Sequence, residues 1–164
     1  MKHLEDLLLL GDSRLYEVCD PVTEEDRPNI QAWVNDLHNV MEEIRGRYLF
    51  GRGIAAPQLG IMKRLFYLNV DQPRVIINPQ LTDLSEARFT LWDDCMSFPN
   101  LLVHIERHES LTLSYLDENW TPHSWNIDDR DVAELVQHEY DHLEGILCTM
   151  RAVDGQSFRW RPTP

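Results

Sequence analysis

The string His138-Glu139-Tyr140-Asp141-His142 constrains this chain more than any other feature. Val132, Leu135, Val136 and Leu143 recur around it at helical steps, an acidic cap at Asn126–Asp129 precedes them, and Gly145 supplies a stop. Residues four apart on a helix differ by about 40° in rotation and about 6 Å in rise. Both imidazoles therefore share a face within reach of one ion. Glu139 directly follows the first histidine, where its carboxylate can act on a water held by that ion. The bland alternative is an exposed helix carrying two histidines by chance. Placement on a capped amphipathic helix favours the metal.

A catalytic ion usually has three protein ligands and one open position. Downstream of His142 the chain offers Glu144, Cys148 and Asp154 but no further histidine. Upstream, Trp92–Pro99 (WDDCMSFP) contains Cys95. Taken alone, Cys95 reads more readily as a small core hydrophobe. As a ligand its thiolate would be stabilised by the metal itself. His104 and His108 are also four apart, but LLVHIERHESLTL has an extended pattern, in which four apart is far apart. They read as surface or structural histidines, and the five tryptophans as core and edge packing.

Composition excludes several functions. Lys and Arg number 15 against 28 Asp and Glu, a net charge of −13 over 164 residues. Such a balance argues against nucleic-acid binding and against docking on anionic membranes. No apolar run approaches the roughly 18–20 residues of a membrane span. The Leu7–Leu10 run is short and follows Glu5 and Asp6, unlike a secretory signal. Three widely spaced cysteines suit a reducing compartment. The expectation is one soluble cytoplasmic catalytic domain over residues 1–164, with a loosely held tail after about Met150. An amphipathic helix is expected over Asn29–Arg45. Strands are expected at Leu65–Val70, Arg74–Asn78, Pro79–Leu84, Ala87–Trp92, Leu101–Ile105 and Ser110–Leu116. This order predicts an α+β domain with antiparallel strands packed around a central metal-binding helix.

Three segments carry a resemblance. GRGIAAPQ (Gly51–Gln58), DDCMS (Asp93–Ser97) and QHEYDH (Gln137–His142) are similar, in order and spacing, to the GxGLAAPQ, EGCLS and QHExDH motifs of the peptide deformylase family. LEGILC after His142 extends the likeness, which runs from about Gly11 to Met150. The resemblance implies the family's α+β fold and one divalent metal ion held by Cys95, His138 and His142. Fe²⁺ is the native ion this implies, with zinc or nickel accepted. It also implies hydrolysis of the formyl group from peptide N-termini, a step of N-terminal processing in protein biosynthesis. Glu139 would be the general acid and base, with the Gln58 side chain and the Met96 backbone N–H as oxyanion donors. The plainer role for Gln58 is a loop-tying amide. Gly53 would let the peptide backbone approach closely, with a turn glycine as the plain alternative. Asp141 belongs either behind the ligands or in a helix-surface pair.

The departures from the pattern are informative. Asp93-Asp94 replaces Glu-Gly before the cysteine, so any positive φ at Asp94 would be strained. Leu102 stands where the family often carries an arginine, and Arg107 is expected to orient that segment instead. Arg52 occupies the variable position of the first motif, and Glu134 lies one helical turn before His138. The resemblance places both, with Gly53, at the pocket for the first side chain, where an Arg52–Glu134 ion pair would disfavour an apolar group. The competing reading sends both side chains to solvent. The expected partner is a formyl-peptide, reached on a ribosome-associated nascent chain, with no direct nucleic-acid contact. Two further readings stand beside this one: a diverged amidohydrolase for another N-acyl substrate, and a non-catalytic relative that keeps its metal and binds peptides.

Overall fold

The computed structural model describes residues 1–162. Helix α1 (Ile30–Tyr48) buries Leu37, Val40, Met41 and Ile44 at three- and four-residue steps. It runs one turn beyond the expected Arg45 because Leu49 takes the left-handed φ of 62° and its N–H caps the Arg45 carbonyl. One antiparallel sheet is built from β1 (Gly53–Ala55), β2 (Leu65–Asn69), β3 (Pro73–Thr82), β6 (Leu111–Leu116) and β7 (Pro122–Ile127), in the spatial order β1-β2-β3-β6-β7. A second contains β4 (Arg88–Asp94), β5 (Leu101–His108) and β8 (Phe158–Trp160), in the order β4-β5-β8. Helix α2 (Arg130–Leu143) packs on β1 of the first sheet and β5 of the second.

The run LFYL in β2 is apolar throughout because both faces of its sheet are covered. Leu65 and Tyr67 join the core beneath α1, whereas Phe66 and Leu68 join the core that contains Ala133, Val136 and Leu143 of α2. Alternate residues of a strand point to opposite faces, so one short strand glues both helices to the sheet. Helix α2 begins where the Asp129 carboxylate accepts from the Asp131 and Val132 N–H groups. Just past its end the chain turns at Gly145, with φ 69°, where a Cβ would lie 2.5 Å from the Tyr16 carbonyl oxygen. Glycine is required there by backbone conformation and by space together.

Strands β1, β7 and β8 are absent from the expectation; β1 is short and buried throughout. β7 is a mostly exposed edge strand without apolar alternation. The expected loose tail is corrected by the packing of the chain after Met150. Ala152 bridges Ile105, β8 pairs with Leu101–Val103, and the Arg161 N–H donates to the Asn100 carbonyl. Backbone pairing holds this segment where side-chain burial is slight. Thr163 and Pro164, the end of that expected tail, lie outside the described residues.

Candidate active site

Strand and helix bring three buried side chains together. Cys95 follows the last residue of β4, while His138 and His142 share the inner face of α2. The two Nε2 atoms are 3.2 Å apart, and Cys95 Sγ lies 3.4 Å from His142 Nε2. A tetrahedral ion with usual Zn–N and Zn–S lengths needs about 3.3 Å between nitrogens and about 3.5 Å between sulfur and nitrogen. The spacing therefore fits a Cys-His-His ion. A second grouping, Asp93, His138 and Cys148, also lies close together. It engages the other ring nitrogen: His138 Nδ1 is 2.9 Å from Asp93 Oδ2, which leaves Nε2 for the first set.

Behind the histidines lies a buried charge network. Arg107 reaches Asp93 at 3.3 Å and also bonds Asp141, and all three side chains are buried. Arg151 grips Asp141 through two nitrogens. Asp141 therefore belongs behind the ligands, braced by two arginines. Gln137 fixes α2 to β5, accepting from the His108 N–H and donating to its carbonyl, both at 3.0 Å. Gln58 takes the loop-tying role with one end of its amide and turns the other towards Cys95. Its Oε1 accepts from the Ala55 N–H at 2.9 Å, tying the loop, while Nε2 lies 3.1 Å from Ser97 Oγ and 3.5 Å from Cys95 Sγ. His104 and His108 lie along β5, outside the triad. His104 packs on Trp92, and His108 bonds the Ser85 carbonyl.

Burial sets the protonation of this centre. It pushes the Cys95 thiol up, with His138 opposing, and holds His142 well below the usual histidine value, reinforced by the His138 charge. Against its burial, Asp93 and Cys95 raise His138 well above that value, so an ion at this centre must displace its Nε2 proton to meet the neutral imidazole it needs. Burial also pushes Glu139 up to about 7. Glu139 Oε2 is buried without a hydrogen-bond partner among the described residues, a condition that a water or a reacting proton would relieve. A Cβ on Gly53 would sit 2.7 Å from Glu139 Oε1 and 2.9 Å from Leu68 Cδ2, so glycine lets β1 pass against that carboxylate. A groove of about 600 Å³ opens beside these groups, lined by Arg52, Gly53, Met96, Glu134, His138 and Glu139 among others.

The polypeptide deformylase family model matches residues 4–157. The chain belongs to the polypeptide deformylase family. Peptide deformylase of Treponema pallidum is 36% identical over 143 residues, covering 87% of this chain and 84% of the relative. Peptide deformylase 2 of Ralstonia nicotianae is 33% identical, covering 94% and 90%. The crystal structure of a peptide deformylase from Synechococcus elongatus in complex with actinonin superposes with a TM-score of 0.84 at 30% identity, covering 92% of this chain and 80% of that one. Peptide deformylase from Thermotoga maritima gives 0.80 at 28%, covering 90% and 97%. As a deformylase-family member the chain is a metal-dependent amidohydrolase, built on the α+β fold with its Cys-His-His centre. No helix among the described residues is long and apolar enough to cross a membrane.

The family departures find physical explanations here. Asp94 sits in extended β4, paired with Leu102, and is not among the positive-φ residues. The expected strain is therefore absent. Its carboxylate bonds Arg161 at 2.6 Å, and that guanidinium also stacks 4.0 Å from the Phe50 ring centroid. Arg52 bonds Glu134 across the groove and donates to the Asp131 carbonyl at 3.1 Å. The reading that sends both to solvent fails for Glu134, which is buried beneath the arginine. Sequence reasoning missed the Asp93–His138 contact and the roles of Arg151 and Arg161. None of these pairings has a local spacing signal, because each joins separate elements.

Proposed function

We propose that this chain, acting as one catalytic domain, hydrolyses the formamide at peptide N-termini and releases formate and a free amine. The observation that carries this reading is the convergence of Cys95 Sγ, His138 Nε2 and His142 Nε2 beside an unpartnered buried oxygen of Glu139. A divalent ion held by those three ligands supplies Lewis acidity and lowers the pKa of water towards neutrality. We assign Fe²⁺ as the native ion, with Zn²⁺ or Ni²⁺ as substitutes.

Glu139 accepts a proton from the attacking water as its oxygen bonds to the formyl carbon. It then passes the proton to the amine nitrogen as the C–N bond breaks. A pKa near 7 suits a group that must both take and give a proton. The Gln58 amide and the Met96 N–H are assigned to the developing oxyanion, where losing one donor costs about 3 kcal/mol of transition-state stabilisation. Gly53 keeps β1 clear of Glu139 and open to the peptide. The setting is cytoplasmic, on formylated nascent chains emerging from the ribosome.

A comparison of acyl groups tests the reaction class. The metal-loaded protein should release primary amine from a formyl-tripeptide and leave the acetyl analogue intact. Equal or faster release from the acetyl peptide would move the assignment to another N-acyl substrate.

A further inference from the structure

We infer that Arg52 and Glu134 select the first side chain of the substrate, favouring formyl-peptides whose first residue carries a neutral hydrogen-bonding group, such as glutamine, over methionine. This rests on the formyl-hydrolysing reading above. Glu134 precedes the ligand His138 by one helical turn on the same face of α2, about 6 Å along the axis. Arg52 immediately precedes Gly53, the residue packed against Glu139. Both line the groove that holds His138 and Glu139. A formyl carbon placed at the triad therefore puts the side chain of the first residue within reach of this pair.

The pair is built into the wall. The Glu134 side chain is 6% exposed, while that of Arg52 is 43% exposed above it. The ion pair engages one oxygen of Glu134, and Arg52 also donates to the Asp131 carbonyl, tying β1 to the start of α2. An apolar side chain laid against this wall would strip water from a charged pair and return no hydrogen bond. A carboxylate would meet Arg52 favourably and Glu134 unfavourably, and an ammonium group the reverse. A primary amide satisfies both, accepting from the guanidinium and donating to the carboxylate. Glutamine has nearly the length and volume of methionine, so the two separate polarity from fit.

The test compares kcat/KM for formyl-Gln-Ala-Ser, formyl-Met-Ala-Ser and formyl-norleucine-Ala-Ser, using metal-loaded wild type and the Arg52→Leu/Glu134→Leu variant. Wild type should process the glutamine peptide at least as well as the methionine peptide and clearly better than norleucine. The variant should shift the Gln-to-Met ratio by roughly tenfold towards methionine. A wild type favouring methionine tenfold, or a ratio the variant leaves unchanged, overturns the proposal. The wild-type comparison stands even if the variant does not fold. Affinities of peptide hydroxamates with the same first side chains, which chelate the ion without turnover, separate the two readings. A glutamine preference in binding without formate release contradicts formyl hydrolysis and upholds the wall, while a methionine preference in binding contradicts the wall.

Discussion

His138 Nδ1 and Asp93 Oδ2 lie 2.9 Å apart in the buried interior, joining the metal-binding helix to the end of β4. The carboxylate accepts a hydrogen bond from Nδ1–H, which fixes the tautomer and frees Nε2 as a ligand. Burial alone would raise the Asp93 pKa, yet His138 and Arg107 hold it below the usual carboxylate value. Asp93→Asn should therefore retain the fold while weakening metal affinity about 10- to 100-fold. Chelator competition measures this directly, and an unchanged affinity would contradict the orienting role.

Arg107 should matter to folding more than to chemistry. It is 3% exposed and lies between Asp93 and Asp141. Arg107→Met leaves Asp93 with only the His138 Nδ1–H as a partner in the interior, and loss of one member of a buried pair costs about 3–5 kcal/mol. Arg151 still grips Asp141, which places the loss towards the lower figure. Denaturant unfolding of the metal-loaded variant measures it. A change below 1 kcal/mol would show that the network contributes little.

Gly53 tests the Glu139 assignment without removing the carboxylate. In Gly53→Ala the new Cβ must displace both the Glu139 carboxylate and the Leu68 side chain, since both lie inside 3.0 Å. Both atoms end flexible side chains, so the fold should persist with a small change in Tm. Misplacing a general base removes much of its contribution of about 10²–10⁴, so kcat should drop far more than stability. A normal kcat would contradict the placement of Glu139 as the general base.

Glu134 gives a stability prediction with a definite sign. Burial raises its pKa from 4.5 to about 7, against the opposing pull of Arg52. Between those values the folded state binds more protons than the unfolded state, so stability falls as pH rises. The contribution is fully present below about pH 4.5 and gone above about 7. Relative to Glu134→Gln, metal-free wild type should lose roughly 3 kcal/mol across that window. Parallel stability curves for the two proteins would contradict the raised pKa.

Local patterns in the sequence carried much of this site. The capped helix, the two histidines and Glu139 repeat at spacings that only a helix turns into one face, so α2 and its chemistry were legible. Cys95 was ambiguous alone, because a buried thiol and a ligand look alike until the histidines stand beside it. Strands β7 and β8 escaped because they are held by backbone pairing at sheet edges and not by an alternating apolar face. Asp94 looked like a strained replacement for glycine. Its extended backbone and its contact with Arg161, 67 residues later, could be found only in the folded chain.

The most direct measurement is formate release from a formyl-peptide by anaerobically Fe²⁺-loaded protein, with metal content determined for wild type and Glu139→Gln. Wild type should turn over, whereas Glu139→Gln should hold the same one ion per chain and release no formate above background. A fully metallated wild type that releases no formate, or a Glu139→Gln variant that matches it, would contradict metal-dependent deformylation through Glu139.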